Sequence, residues 1–190
     1  MSKIKILAFI GEAGAGKDTL MQEMLNQHPE FYEIISCTSR PPRDNEINHV
    51  NYHFLTREEF EEKILHSEML EYTEFNNWYY GTGLTSFDER YINVGVFNPQ
   101  GVRSLLADPR IDPIIVRVCA SDKTRLMRQL ERETNPDVSE IIRRWHTDNE
   151  DFNDLDFHYI PVNNDDDITP AYLCSIIYTQ LGAWAKTVNS

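Results

Sequence analysis

Seven residues near the start of the chain, Gly11-Glu12-Ala13-Gly14-Ala15-Gly16-Lys17, carry the spacing G-x-x-x-x-G-K. Glycine and alanine let the backbone curl until successive N–H groups converge on an anion, and Lys17 adds a point charge. The helix expected behind Lys17 contributes its positive N-terminal end. Gly11, Ala13, Gly14, Ala15, Gly16, Lys17, Asp18 and Thr19 are therefore read as a cradle for phosphates. Asp18 stands where Ser or Thr normally meets Mg²⁺. Arginines form the other chemistry-bearing sets. Arg40 and Arg43 flank two prolines, on a loop suited to bidentate phosphate capture. Arg125, Arg128 and Arg132 recur at three- and four-residue intervals, the spacing of one helical face, and Arg143 and Arg144 follow.

The background makes these clusters informative. The 190 residues carry a formal net charge of −13, so arginines are grouped against the overall field. So acidic a chain is a poor non-specific ligand for nucleic acid or an anionic membrane, and neither is expected as a partner. Cys37, Cys119 and Cys174 are odd in number and widely spaced, which fits reduced thiols in the cytoplasm, not a disulfide framework or zinc site. The six histidines have no metal-ligand spacing. The apolar residues after Lys3 are too few for a secretory signal, and no run approaches the ~18–20 residues of a membrane span.

Elements that could position these groups follow from hydrophobic spacing. Ile4, Ile6, Leu7, Ala8, Phe9 and Ile10 make a strand buried on both faces, and Leu20, Met21, Met24 and Leu25 a helix behind the glycine turn. A second strand is expected at 33–37, then irregular chain over 38–50 and a short strand at 52–55. Thr56 and Glu59 form a capping box for a helix to about 66, followed by a hairpin of 69–75 and 78–80. Beyond it come a helix over 86–92, a strand at 93–97, a helix over 99–107, a turn at Asp112-Pro113 and a strand at 114–119. A helix capped by Ser121, with Leu126 and Leu130 facing inward, leads to another over 139–149, a strand at 157–162 and a final helix from 170. Strands alternating with helices imply an α/β fold around a parallel sheet.

Several separate stretches agree in order and spacing with guanylate kinases. They are Ile35-Ser36-Cys37-Thr38-Ser39-Arg40-Pro41-Pro42-Arg43, Asn51-Tyr52-His53-Phe54, Leu70-Glu71-Tyr72 and Tyr79-Tyr80-Gly81-Thr82. With the phosphate loop and the later arginines, the chain closely resembles that family over nearly its whole length. The resemblance implies one nucleoside monophosphate kinase domain of P-loop, three-layer architecture. It would contain a parallel sheet, an inserted monophosphate-binding subdomain over 36–84 and a helical lid over 125–150. Ser36, Arg40, Arg43, Tyr52 and Tyr80 would hold the acceptor's phosphoryl group. Glu71 would accept the N1–H and amino edge of guanine, Thr82 would meet its O6, and Gly81 counts among the substrate-binding residues. Asn163 would approach the adenine of ATP. Lys17, Arg128, Arg132 and Arg144 would act on the transferring group; the third lid arginine falls on Arg143 or Arg144, and Arg144 aligns better.

The implied reaction moves the γ-phosphoryl of ATP to GMP or dGMP with Mg²⁺, in a monomer or homodimer. Two departures bear on it. The family's Asp-x-Asp is replaced by Val96 and Asn98, which opens base choice to another or modified base. Asp18 is read as restoring a carboxylate near the metal, and Gly-Lys-Asp-Thr resembles the loop of some bacteriophage deoxynucleotide kinases. A non-catalytic guanylate kinase-like binding module is the remaining alternative.

Overall fold

The computed structural model describes residues 3–42, 46–75, 77–132, 136–165 and 168–186. Strands β1 (Ile4–Ile10), β2 (Phe31–Glu33), β7 (Ile92–Val96), β8 (Ile111–Cys119) and β9 (Ile160–Asn163) form one sheet in the order β2-β7-β1-β8-β9. Every pairing within it is parallel. Strand β1 lies at the centre, and its side chains alternate between two apolar layers. Leu7 and Phe9 pack on one face with Leu20 and Met24 of α1 (Lys17–Gln27) and Ile177 of α6 (Pro170–Lys186). Ile6, Ala8 and Ile10 pack on the other with Val102 and Leu105 of α3 (Pro99–Ala107). Two covered faces explain why β1 reads as continuous apolar sequence, not as an alternation. A parallel strand leading through a tight turn into a helix places the glycine loop, 11–16, at the carboxyl end of this sheet, where ligands of open α/β sheets bind.

A second sheet, ordered β4-β3-β6-β5, comes from β3 (Cys37–Thr38), β4 (His53–Phe54), β5 (Met69–Phe75) and β6 (Trp78–Gly83). Helix α2 (Arg57–Leu65) starts at the expected box: Thr56 accepts from the Glu59 N–H while Glu59 accepts from the Thr56 N–H. The hairpin turns through Asn77, whose φ of 62° is a conformation asparagine tolerates better than most residues.

Several elements depart from the sequence reading. The chain does not run as one strand over 33–37: β2 ends at Glu33, Ile34 is buried, and Cys37 already belongs to the second sheet. The expected helix over 86–92 is a single 3₁₀ turn, Leu84–Ser86. Past it, Asn93 Oδ1 and Asp88 Oδ1 take the N–H groups of Asp88 and Arg90, so local side chains satisfy the backbone in place of helical bonds. Asp112-Pro113 lies inside β8 and makes no turn. Pro113 pairs only with β1 there, because β9 joins β8 from Val116 onward, and an edge stretch has no need of the missing N–H. Helix α4 (Asp122–Glu131) buries Thr124 and Arg125, while Leu126 is 41% exposed. Its inner face meets the glycine loop, a surface of peptide groups, so a hydrogen-bonding arginine is buried where the spacing predicts leucine. Helix α5 (Val138–Asp151) follows it.

Candidate active site

The loop between β1 and α1 is shaped by its neighbours. Gly14 has φ +80°, and a Cβ there would lie 2.4 Å from the Arg125 carbonyl oxygen, so α4 rests directly on the loop. Gly16 has φ +92°, with the Asn164 side chain against it. Asn164 is buried; its Nδ2 donates to the Ala15 carbonyl at 2.8 Å and its own carbonyl accepts from Arg128 at 2.9 Å. Arg125 is 5% exposed, donates to the Ala13 carbonyl at 3.2 Å and stacks on Trp145. The Lys17 ammonium donates to the Glu12 carbonyl at 3.2 Å. Burial pulls its pKa down, and Asp18, Asp148 and Glu12 act in the opposite sense. Asp18 and Thr19 are exposed on the first turn of α1.

Across from the loop, Ser36, Tyr52, Glu71, Tyr80, Gly81 and Asn98 meet in one cavity of about 140 Å³, into which Val96 also faces. Thr82 is buried beside it and donates to Glu71 Oε1 at 2.7 Å. Burial raises the Glu71 pKa, and the hydroxyl and backbone N–H of Thr82 only partly offset this. Tyr52 is half-buried, which raises its phenol; Asp18 of the loop is close enough to add to that rise. Asn98 caps α3 by accepting the Gly101 N–H at 2.7 Å. Arg40 sits near the rings of Tyr52 and Phe54 and pairs with Glu46 at 2.8 Å. Arg43 lies outside the described residues.

The arginines of α4 and α5 expected to form a lid separate into two groups. Arg128 engages carbonyl oxygens around the loop, with Gly14 and Ala15 at 3.5 and 3.4 Å. Arg132 and Arg144 line a cleft of about 80 Å³ between α4 and α5, which Gln129 connects to the Ala13 carbonyl. Arg143 and Arg144 both bond to Glu140, whose carboxyl is thereby held at about 2. Asn163 is exposed at the end of β9.

Four groups at the loop escape the sequence reading. Asn164 is masked by its neighbour Asn163. Glu12 accepts from Arg117 at 3.0 Å, an ion pair joining the loop to β8. Asp148 accepts the Ala13 N–H at 2.6 Å from α5. A lone arginine in a strand or an acid in a helix gives no spacing signal; only the fold brings them to the loop.

A parallel sheet whose central strand runs through G-x-x-x-x-G-K into a helix defines a P-loop nucleotide-binding protein. The guanylate kinase family model matches residues 3–180. A guanylate kinase of Nostoc sp. is 47% identical over 78 residues, 41% of this chain and 39% of that one. One of Synechococcus elongatus is 42% identical over 95 residues, covering 50% and 51%. The chain thus aligns with about 40–50% of the length of these curated relatives. The crystal structure of guanylate kinase from Anaplasma phagocytophilum superposes with a TM-score of 0.68, covering 99% of this chain and 90% of that one at 17% identity, a likeness of fold. The chain belongs to the guanylate kinase family. Among the described residues, no helix is long and apolar enough to cross a membrane and no group of three or more His, Cys, Asp or Glu could hold a metal.

Proposed function

We propose that the chain transfers the γ-phosphoryl group of ATP to GMP or dGMP. The observation that carries this reading is the neighbourhood of two sites: the cavity holding Ser36, Tyr52, Glu71, Tyr80 and Asn98 opens at the end of β7, which pairs in parallel with β1, the strand that leads into the glycine loop. One site would receive the acceptor and the other the donor's phosphates.

Glu71 offers a partly desolvated carboxylate, matched to the adjacent N–H donors of guanine. A base without them would leave that carboxylate unpaired, which is the source of discrimination. The acceptor's phosphate oxygen attacks the γ-phosphorus as the bond to the β–γ bridging oxygen breaks, and ADP departs with that electron pair. The acceptor oxygen is already ionised, so no general base is required; alignment and positive charge carry the rate. Lys17 and the loop N–H groups would grip the donor, Arg40 and Arg43 the acceptor, and Arg128, Arg132 and Arg144 the group in flight.

Mg²⁺ would neutralise charge on the donor's phosphates. With no three-residue metal cluster among the described residues, the ion must draw most ligands from phosphate and water, as Mg²⁺ commonly does. The exposed Asp18 carboxylate beside Lys17 fits the protein's share. Asn98 favours a relaxed version of the base choice, because it brings an amide to the cavity where a carboxylate would bring acceptors only. Coupled ADP release with ATP and a panel of GMP, dGMP, IMP, AMP, CMP and UMP tests the reading. Turnover with guanine nucleotides supports it; a folded sample inactive with every monophosphate overturns it.

A further inference from the structure

The Ala13 N–H, one of the groups on which a nucleotide's phosphate would rest, already donates to Asp148 Oδ2 at 2.6 Å. The same oxygen lies 3.3 Å from Arg125 Nη2, and Lys17 is near enough to stabilise its charge. Asp148 sits in the last turn of α5, where a negative charge is unfavourable to the helix dipole. Burial, the largest influence on this carboxyl, also works against its charge, and Glu12 adds repulsion. A charged-state hydrogen bond to a loop N–H and an ion pair to a buried arginine offset those costs. They are the same interactions an anionic ligand would use.

We infer that Asp148 is the phosphate loop's resident anion, a carboxylate on α5 that a polyphosphate must displace before the Ala13 N–H can serve it. The inference rests on the loop's role under the proposed function. It makes α5 a competitor of the donor nucleotide: with Asp148 docked, the loop keeps an ordered set of partners, and the nucleotide's affinity is reduced by the fraction of molecules in which the site is open. A contact populated nine times in ten lowers affinity roughly ten-fold. Arg125, released from Asp148, keeps Asp122 and the Ala13 carbonyl.

Calorimetric titration of the full chain with inorganic pyrophosphate and with ATP tests this, comparing wild type with Asp148→Asn. The variant is expected to bind both about ten-fold more tightly. Equal or weaker binding by a folded variant overturns the inference alone. Failure of both proteins to bind either ligand overturns the loop's assignment and the inference together. A measurement on unmodified protein covers the case of a misfolded variant. With ¹³C-labelled aspartate, the Asp148 carboxyl resonance should move towards its solvent-exposed position as pyrophosphate saturates the loop. A resonance that stays fixed while the Ala13 amide shifts overturns the displacement.

Discussion

The Thr82 hydroxyl donates to Glu71 Oε1 at 2.7 Å, which orients a carboxylate that burial has made costly to ionise. Thr82 takes up part of the carboxylate's accepting capacity, and a carboxylate with about four lone-pair positions keeps others for a ligand. Replacing Glu71 with Gln substitutes a donor for an acceptor at the same volume. We expect kcat/KM for GMP to fall about 100-fold, about 2.7 kcal/mol, with turnover on AMP little changed. A coupled assay with both nucleotides measures it, and an equal fall for the two would remove Glu71 from base recognition.

The same carboxylate predicts a pH dependence. Its folded pKa lies above the ordinary 4.5, because burial outweighs the Thr82 bonds. Guanine recognition needs the ionised form, so GMP affinity should fall about ten-fold per pH unit below that raised value. Stability runs the other way: the contribution of Glu71 is fully present below 4.5 and is lost as pH rises through the folded pKa. In Glu71→Gln both dependences should flatten. Calorimetric GMP titrations and urea midpoints across pH 4 to 8 would check the pair.

Asn98 makes a separate prediction. Its Oδ1 is committed to the Gly101 N–H, which leaves the NH₂ donor as the group the amide can offer to the cavity it lines. An aspartate in its place would cap the helix equally well and present an acceptor where the amide presents a donor. Asn98→Asp should therefore leave the melting temperature within about 2 °C while raising the kcat/KM ratio of GMP over IMP several-fold. An unaltered ratio would place this side chain outside base selection.

Much of this arrangement is legible in the chain, and the exceptions share a cause. The glycine turn before α1, the capping box at Thr56 and the helix at Pro99 depend on residues adjacent in sequence, and all appear where expected. The cavity residues are found through the family resemblance, and six of them meet. What fails is inference about partners. Apolar spacing turns Leu126 inward because it assumes an apolar neighbour, whereas α4 faces a loop of peptide groups that Arg125 can bond. Arg40 reads in sequence as a phosphate ligand alone, yet Glu46 six residues on pairs with it. Arg117, Asp148 and Asn164 reach the loop, Arg117 through its pair with Glu12, only because strands and helices far apart in sequence end beside it.

Glu140 gives α5 an acid-sensitive brace. It accepts from Arg143 at 2.7 and 2.8 Å and from Arg144 at 2.8 Å, and these hold its carboxyl at about 2. A depressed pKa contributes stability that is present above about 4.5 and lost as pH falls towards 2. The arginines are 41% and 48% exposed, so solvent screening limits the contribution to about 1 kcal/mol or less. Glu140→Gln should lower the urea midpoint at pH 7 and converge with wild type on approach to pH 2. A pH-independent difference would point to packing in place of charge.

The close approach of α4 to the loop predicts opposite outcomes for one substitution at two glycines. At Gly14, φ is +80° and an added Cβ would sit 2.4 Å from the Arg125 carbonyl oxygen and 3.0 Å from its carbonyl carbon. Both obstacles are backbone within a helix and cannot swing aside as a side chain could. Left-handed strain alone costs an alanine about 1–2 kcal/mol, and the clash must add at least as much. At Gly83 the same methyl would meet Cys37 Sγ at 3.7 Å, an ordinary contact, with no unusual φ. Gly14→Ala should therefore lower the melting temperature by about 6–12 °C and abolish pyrophosphate binding, while Gly83→Ala should stay within about 2 °C. Calorimetric melting of both variants decides it: similar temperatures would mean that α4 yields at Arg125, and that the loop's shape does not depend on the helix resting against it.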